Sequence, residues 1–367
     1  LKGARKLQQG AAAAILFSLM ALNPQSANAA TPKLDTELKK SISAYDLEHA
    51  KNFGKLAVQD HQGRMKPIDT VAHDIVAKVT GKSSLFGLEP NQILLGMLTQ
   101  PNLYQTVPMI KIGHPKIAVN IGLPKEAKFA KFSDFFSAKD SNYILYDDIV
   151  AASRKKPLEK TQYDKKLLDI DERVNVSYMA YQGTILRIFP KPNDANNKWF
   201  APVEAMKDFP AKESELVKMS ISAYFMMVSD ALKTGNWANA NLALKGLHKY
   251  QQTYGTAVIP SPSHIDMEIK YNKLGLFGKL VPLYLVLGLL LLVLAFINIL
   301  KPALSMKWIM RGALGILFFG FMVHVVGMGI RWYISGHAPW SNAYESIVFI
   351  AAAVSYTHLT LPTICSV

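Results

Sequence analysis

Leu280–Leu300 reads LVPLYLVLGLLLLVLAFINIL and holds no charged residue. As a helix rising about 1.5 Å per residue it reaches roughly 30 Å, the thickness of a bilayer's hydrocarbon core. Such a helix is apolar on every face, and a soluble fold has no place for its water-facing side. Gly312–Ile330, GALGILFFGFMVHVVGMGI, is nearly as long and carries one ionisable residue, His324. A third apolar stretch opens at Tyr344 with YESIVFIAAAV. The expected fold class is a membrane protein: an exported mixed α/β domain followed by α-helical transmembrane segments. The helices are placed at about 279–300 and 309–334, with a third from 343.

Charge sets the orientation. Lys301, Lys307 and Arg311 lie between the two long runs, so the positive-inside rule puts that loop in the cytoplasm. The first helix then runs inward and the second outward. Ser335–Ala343 emerges on the exported face, with Trp332 and Tyr333 at the interface. The expected location is the bacterial inner (cytoplasmic) membrane, with the large domain in the periplasm. Lys and Arg number 41 against 27 Asp and Glu, a net charge of +14. The bases are dispersed and no aromatic-basic module accompanies them, which argues for topology and a solvated surface and against nucleic acid.

Lys2, Arg5 and Lys6 precede the apolar run Ala11–Leu22, and Pro24 and Ser26–Ala30 come after it. Residues 1–30 therefore read as a secretory signal or as a short last membrane helix, and either one exports the polar region beyond it. Val354–Val367, VSYTHLTLPTICSV, opens like a translated transposon-end sequencing adapter. The third apolar run turns polar there, after about half of the roughly 20 residues a crossing needs. Residues 354–367 are thus expected to be non-native and the chain a truncated fragment of a longer protein. The only cysteine, Cys365, falls in this tail, so disulfides and thiolate ligands are not expected.

Residues 31–275 lack long apolar runs and are read as one exported domain. Leu38–Lys51 has the pattern of one amphipathic helix, Phe53–Val58 of a strand, and Asp60-His61-Gln62-Gly63 of a turn. Val71, Ile75, Val76 and Val79 predict a helix over Asp69–Lys82 that Gly81 stops. Asn120–Asn197 carries no assignable pattern. Glu213–Leu232 and Trp237–Tyr254 read as antiparallel helices about Thr234-Gly235-Asn236.

Candidate chemistry concentrates in Arg331–Ser346, RWYISGHAPWSNAYES. Ser341 or Asn342 can cap the third helix, and Glu345 then sits in its first turn, where the dipole favours an anion. Arg331 can pair with Glu345. A well-capped helix–loop–helix explains part of this string, but it does not require Trp332 and Trp340 beside His337. On helical spacing His324 shares a face with Gly320, Gly327, Met328 and Arg331, a stripe suited to neighbouring helices. An intramembrane histidine is a functional candidate; its plainer role is an interhelical hydrogen bond. His49, His61, His73, His114, His248 and His264 show no metal-ligand spacing beyond a loose 61/73 pair. No metal site is expected, and no residue is assigned to catalysis.

RWYISGHAPWSNAYESIVFIA resembles the opening transmembrane region of the CcsA (ResC) family of cytochrome c biogenesis proteins. Val58–Thr70, VQDHQGRMKPIDT, resembles the exported region of the fused CcsBA cytochrome c synthetases of system II. The resemblance implies a protein that receives heme from the cytoplasmic side and presents it at the exported face. There it joins heme covalently to the thiols of a Cys-x-x-Cys-His motif in apocytochrome c. Implied partners are heme, apocytochrome c, a thiol-reducing thioredoxin-like protein and the lipid bilayer. His337, Trp332, Trp340, His324 and Arg331 become candidate heme contacts, since imidazole suits iron and flat aromatic faces suit a porphyrin. Pro339, Ser341, Asn342, Tyr344 and Glu345 would shape the loop. The family's tryptophan-rich heme segment and its flanking external histidines would fall beyond Ala353, so heme-lyase activity is not expected of this fragment. Two other readings compete. One is a membrane-anchored periplasmic binding or assembly domain without heme chemistry. The other is a heme-handling subunit of the other maturation system, which lacks the Gly-Arg-Met-Lys-Pro region.

Overall fold

The computed structural model describes residues 34–301, 307–341 and 343–364. The proposed signal segment, residues 1–30, and Asn342 lie outside the described residues. The described residues divide into two compact units, one ending at Ile269 and the other beginning at Lys270.

The first unit is mostly helical. Its described elements begin with α1 (Thr36–Ile42), α2 (Leu47–Gly54), β1 (Ala57–Gln59), β2 (Met65–Pro67), α3 (Ile68–Thr80), α4 (Pro90–Thr99) and α5 (Pro101–Tyr104). Then come β3 (Ile110–Lys111), α6 (Pro115–Asn120), β4 (Phe129–Ala130), α7 (Tyr146–Arg154), α8 (Gln162–Tyr181), β5 (Phe189–Pro190) and β6 (Trp199–Phe200). α9 (Pro202–Asp208), α10 (Ala211–Thr234) and α11 (Ala238–Tyr254) come next, and α12 (Pro262–Leu274) runs across the boundary between the units. Among the described residues the strands pair as three antiparallel ribbons, β1–β2, β3–β4 and β5–β6. Ribbons this short cannot make a sheet layer, so the core is helix against helix rather than an even α/β mixture.

Local chemistry explains several boundaries. The helix expected over Leu38–Lys51 is broken at Ser43–Asp46, because Asp46 caps α2 by accepting the His49 N–H at 2.7 Å. Tyr45 in that break is buried and bonds the Thr99 hydroxyl at 2.7 Å. Phe53 and Gly54 complete α2, so the strand expected from Phe53 starts only at Ala57. α3 ends at Gly81, whose φ of +67° lies in the left-handed region that glycine enters freely. α8 fills part of the stretch that carried no readable pattern. A Thr161/Asp164 capping box starts it, and Leu167, Ile170 and Val174 bury one side.

The second unit holds the end of α12 and three helices, α13 (Leu276–Leu300), α14 (Lys307–Ser335) and α15 (Ala343–Ile364). α14 packs between α13 and α15. Its buried stripe is Ala313, Gly320, His324, Gly327 and Ile334, while Phe318, Phe319, Met322, Val325 and Val326 are exposed. An apolar exterior of that extent is costly in water and suited to hydrocarbon. The segments Pro262–Leu300 and Trp308–Ser335 are long and apolar enough to cross a membrane. The chain is built as a membrane protein.

α15 continues through Val354 to Ile364, past the point where the sequence turns polar. Its hydroxyls bond the helix's own carbonyls: Ser355 Oγ donates to Ala351 O at 2.8 Å and Thr357 Oγ1 to Val354 O at 2.7 Å. Satisfied in this way, Ser and Thr do not interrupt the helix.

Candidate functional site

α14 ends at Ser335, and Gly336, with φ +73°, turns the chain. The Gly336 N–H closes on Trp332 O at 3.0 Å, and Ser341 Oγ donates to Ala338 O at 2.9 Å. Pro339 is buried in the loop. Glu345, in the first turn of α15, is 1% exposed and points back into the loop. Its Oε2 accepts the Ser341 N–H at 3.1 Å, and its Oε1 accepts from Arg331 Nε and Nη2, each at 2.9 Å. The guanidinium also lies 5.5 Å over the Tyr344 ring. A carboxylate this buried is tolerable only when paired and hydrogen-bonded, so the pair staples the end of α14 to the start of α15.

The staple presents three half-exposed groups. Trp332 and Trp340 are each 53% exposed, with ring centroids 6.5 Å apart and planes inclined at 53°. Trp340 also meets Phe349 edge-on at 5.3 Å. His337 Nδ1 lies 3.2 Å from Ala338 O and 3.9 Å from Glu345 Oε2. Because a carbonyl only accepts, Nδ1 carries the proton in that bond.

His324 sits apart from this loop, seven residues or about two helical turns before Arg331. It is 3% exposed, and its Nε2 donates to Val348 O on α15 at 3.0 Å. Phe277 and Tyr284 of α13 flank the ring at 5.1 and 6.2 Å. Gly320 and Gly327 permit that approach: a Cβ on Gly320 would sit 3.1 Å from the Tyr284 ring, and one on Gly327 3.4 Å from Phe277. The histidine thus stitches three helices together. The structure gathers Arg331, Trp332, His337, Pro339, Trp340, Ser341, Tyr344 and Glu345 into one loop and leaves His324 in the bundle. Asn342 lies outside the described residues.

The Val58–Thr70 string forms the β1–β2 hairpin and the start of α3, with Val58 opposite Lys66. Asp60 Oδ1 organises the turn by accepting the Gln62 and Arg64 N–H groups, both at 2.9 Å. Arg64 Nη2 and Thr70 Oγ1 both donate to Glu268 Oε1, at 2.9 and 3.0 Å. Asp69, 2% exposed, accepts from Asn91 Nδ2 at 2.7 Å and lies 3.9 Å from His73 Nε2. Sequence reasoning missed Glu268 and Asn91. Their partners lie 204 and 22 residues away, and nothing in their own neighbourhoods marks them. The string therefore braces the first unit internally. Among the described residues no group of three or more His, Cys, Asp or Glu is placed to hold a metal.

His49 is a core residue. Its Nδ1 donates to Asn241 Oδ1 at 2.7 Å, its Nε2 lies 3.1 Å from the Tyr224 hydroxyl, and Trp237 packs on it at 4.8 Å. Burial holds its pKa below the usual histidine range, against the raising effects of Asn241 and Asp46.

No family model matches the chain. Protein NrfI of Wolinella succinogenes is 34% identical over 304 residues, which is 83% of this chain and 33% of that protein. Cytochrome c biogenesis protein CcsA of Mesostigma viride is 44% identical over 50 residues, 14% of this chain and 16% of that protein. The chain spans about a third of the length of Protein NrfI. It is a membrane protein similar over most of its length to Protein NrfI and, over a shorter stretch, to a cytochrome c biogenesis protein.

Proposed function

We propose that the chain is part of a cytochrome c maturation protein of the CcsBA type, which belongs to system II. In this reading α13 and α14 cross the bacterial inner membrane and the first unit stands in the periplasm. The loop between α14 and α15 lies at the periplasmic face, where heme is presented to apocytochrome c, and a thioredoxin-like protein keeps the acceptor thiols reduced. The observation that carries the reading is the stapled loop, whose residues are those that resemble the CcsA family, in a chain similar to Protein NrfI over 304 residues.

The loop's residues fit one side of a heme-holding surface. Two indoles and an imidazole are half-exposed on a support fixed by a buried ion pair. Trp332 and Trp340 would lie against the flat macrocycle and His337 would offer nitrogen to its iron. Heme, when bound, supplies the vinyl groups to which the apocytochrome thiols are joined. Arg331 and Glu345 keep the aromatic groups in register by neutralising each other, and the His324 hydrogen bond holds α14 on α15 beneath them.

Hemin titration of the chain in detergent, followed by tryptophan fluorescence, tests the reading. Saturable quenching is expected, with affinity falling about tenfold when Trp332→Phe and Trp340→Phe are combined. Quenching without saturation, or unchanged by the substitutions, contradicts it and favours an anchored binding domain without heme chemistry.

A further inference from the structure

The first unit contains a cavity of about 160 Å³ at the junction of α2, α4, α8, α9, α10 and α11. Its wall is made by Phe53, Leu98, Ile221, Tyr224, Phe225 and Leu247. The pocket reaches inward from the surface, and its walls are predominantly apolar.

The inner wall is apolar for a specific reason. Its two buried phenols are both committed elsewhere: the Tyr224 hydroxyl faces His49 Nε2 at 3.1 Å, and the Tyr181 hydroxyl donates to Tyr104 O at 3.3 Å. Each therefore turns a ring, not a hydroxyl, toward the space. A water against that inner wall would meet few of the two to four polar partners that make its burial tolerable. Apolar cavities of about 150 Å³ are known to stay empty of water and to take benzene or xenon.

The cavity is also reachable. Gln182 and Val203 line it and are exposed, with Gly183 between wall and solvent at φ +67°. These residues form a mouth that one polar side chain and one aliphatic one border, over an apolar interior. Small-molecule sites commonly have that arrangement of apolar walls with few polar groups at the edge.

We propose that this cavity is a binding site for a single small uncharged apolar molecule, of about the size of benzene or toluene. The site is separate from the loop after α14 and does not rest on the maturation function. Binding buries apolar surface on both sides and restores the contacts that the wall lacks, without breaking any hydrogen bond.

Toluene is the probe, added to the full chain in lipid nanodiscs while thermal unfolding of the first unit is monitored. A ligand that binds only the folded state at a hundredfold excess over Kd should raise the midpoint by about 5–10 °C, and the rise should saturate. Ile221→Phe places a ring in the cavity and should abolish the toluene-dependent rise. Should that variant fail to fold, Val203→Trp, at the exposed mouth, should block access and weaken the rise at least several-fold. A midpoint unmoved by toluene overturns the proposal. So does a shift that grows linearly without saturation, or one equal in wild type and in the folded variant, because each is the behaviour of solvent acting on the bilayer or the surface.

Discussion

At the scale of single residues, Arg331 and Glu345 show how a charge at the end of a long apolar helix is made tolerable. The carboxylate is 1% exposed and holds two guanidinium hydrogens and one backbone N–H. Removing one partner strands the other, which typically costs about 3–5 kcal/mol, whereas removing both together is far milder. Arg331→Leu alone should therefore lower the unfolding midpoint in detergent much more than Arg331→Leu with Glu345→Leu, and equal losses would show that the pair is not coupled. His49 and His248 carry a pH dependence of known sign. Burial lowers both pKa values from the usual 6.5, opposed at His49 by Asn241 and Asp46 and at His248 by the Asn52 carbonyl. Well above pH 6.5 neither the folded nor the unfolded histidine holds a proton, so no linkage acts. Below it the unfolded chain takes up protons that the folded chain refuses, and stability falls until the depressed folded values are passed. Each histidine contributes a slope of at most about 1.4 kcal/mol per pH unit. Melting midpoints measured from pH 7.5 to 5 should fall, and His49→Gln should flatten the curve; an unchanged slope would remove His49 from the account.

Among the secondary-structure elements, those with a local cause are the ones the sequence makes legible. The two apolar runs correspond to α13 and α14, and the Gly235 breaker separates α10 from α11, with φ +76° at the turn. α8 was not legible, because its buried positions Leu167, Ile170 and Val174 are interleaved with Lys165, Lys166, Asp169, Asp171, Glu172 and Arg173. Part of that charge is consumed by long-range pairing, with Lys78 of α3 bridging Asp169 and Glu172. The one local signal was the Thr161/Asp164 capping box, in which Thr161 Oγ1 accepts the Asp164 N–H at 3.2 Å. Thr161→Ala should cost about 1 kcal/mol of stability by denaturant titration, and a neutral result would mean that Lys155, 2.8 Å from Asp164, holds the helix start by itself. The candidate loop was legible as a set of residue types, since Arg331, Trp332, His337, Trp340 and Glu345 are close in sequence. Its internal wiring was legible only as the Arg331–Glu345 pair. The Ser341 N–H bond to Glu345 and the burial of Pro339 depend on how α15 turns back on α14.

For the whole molecule, two compositions meet in one chain: a polar unit braced by Arg64–Glu268 and Asp69–Asn91, and an apolar unit whose exposed surface suits lipid. Every part of the functional reading requires the loop of Arg331–Glu345 to reach the same side of the membrane as the first unit. The short segment holding Lys301, Lys307 and Arg311 must then remain in the cytoplasm. A reporter fused at Pro339 in intact cells decides this: alkaline phosphatase there should be active and a green fluorescent protein dark, while a fluorescent fusion with inactive phosphatase would place the loop in the cytosol and contradict the account.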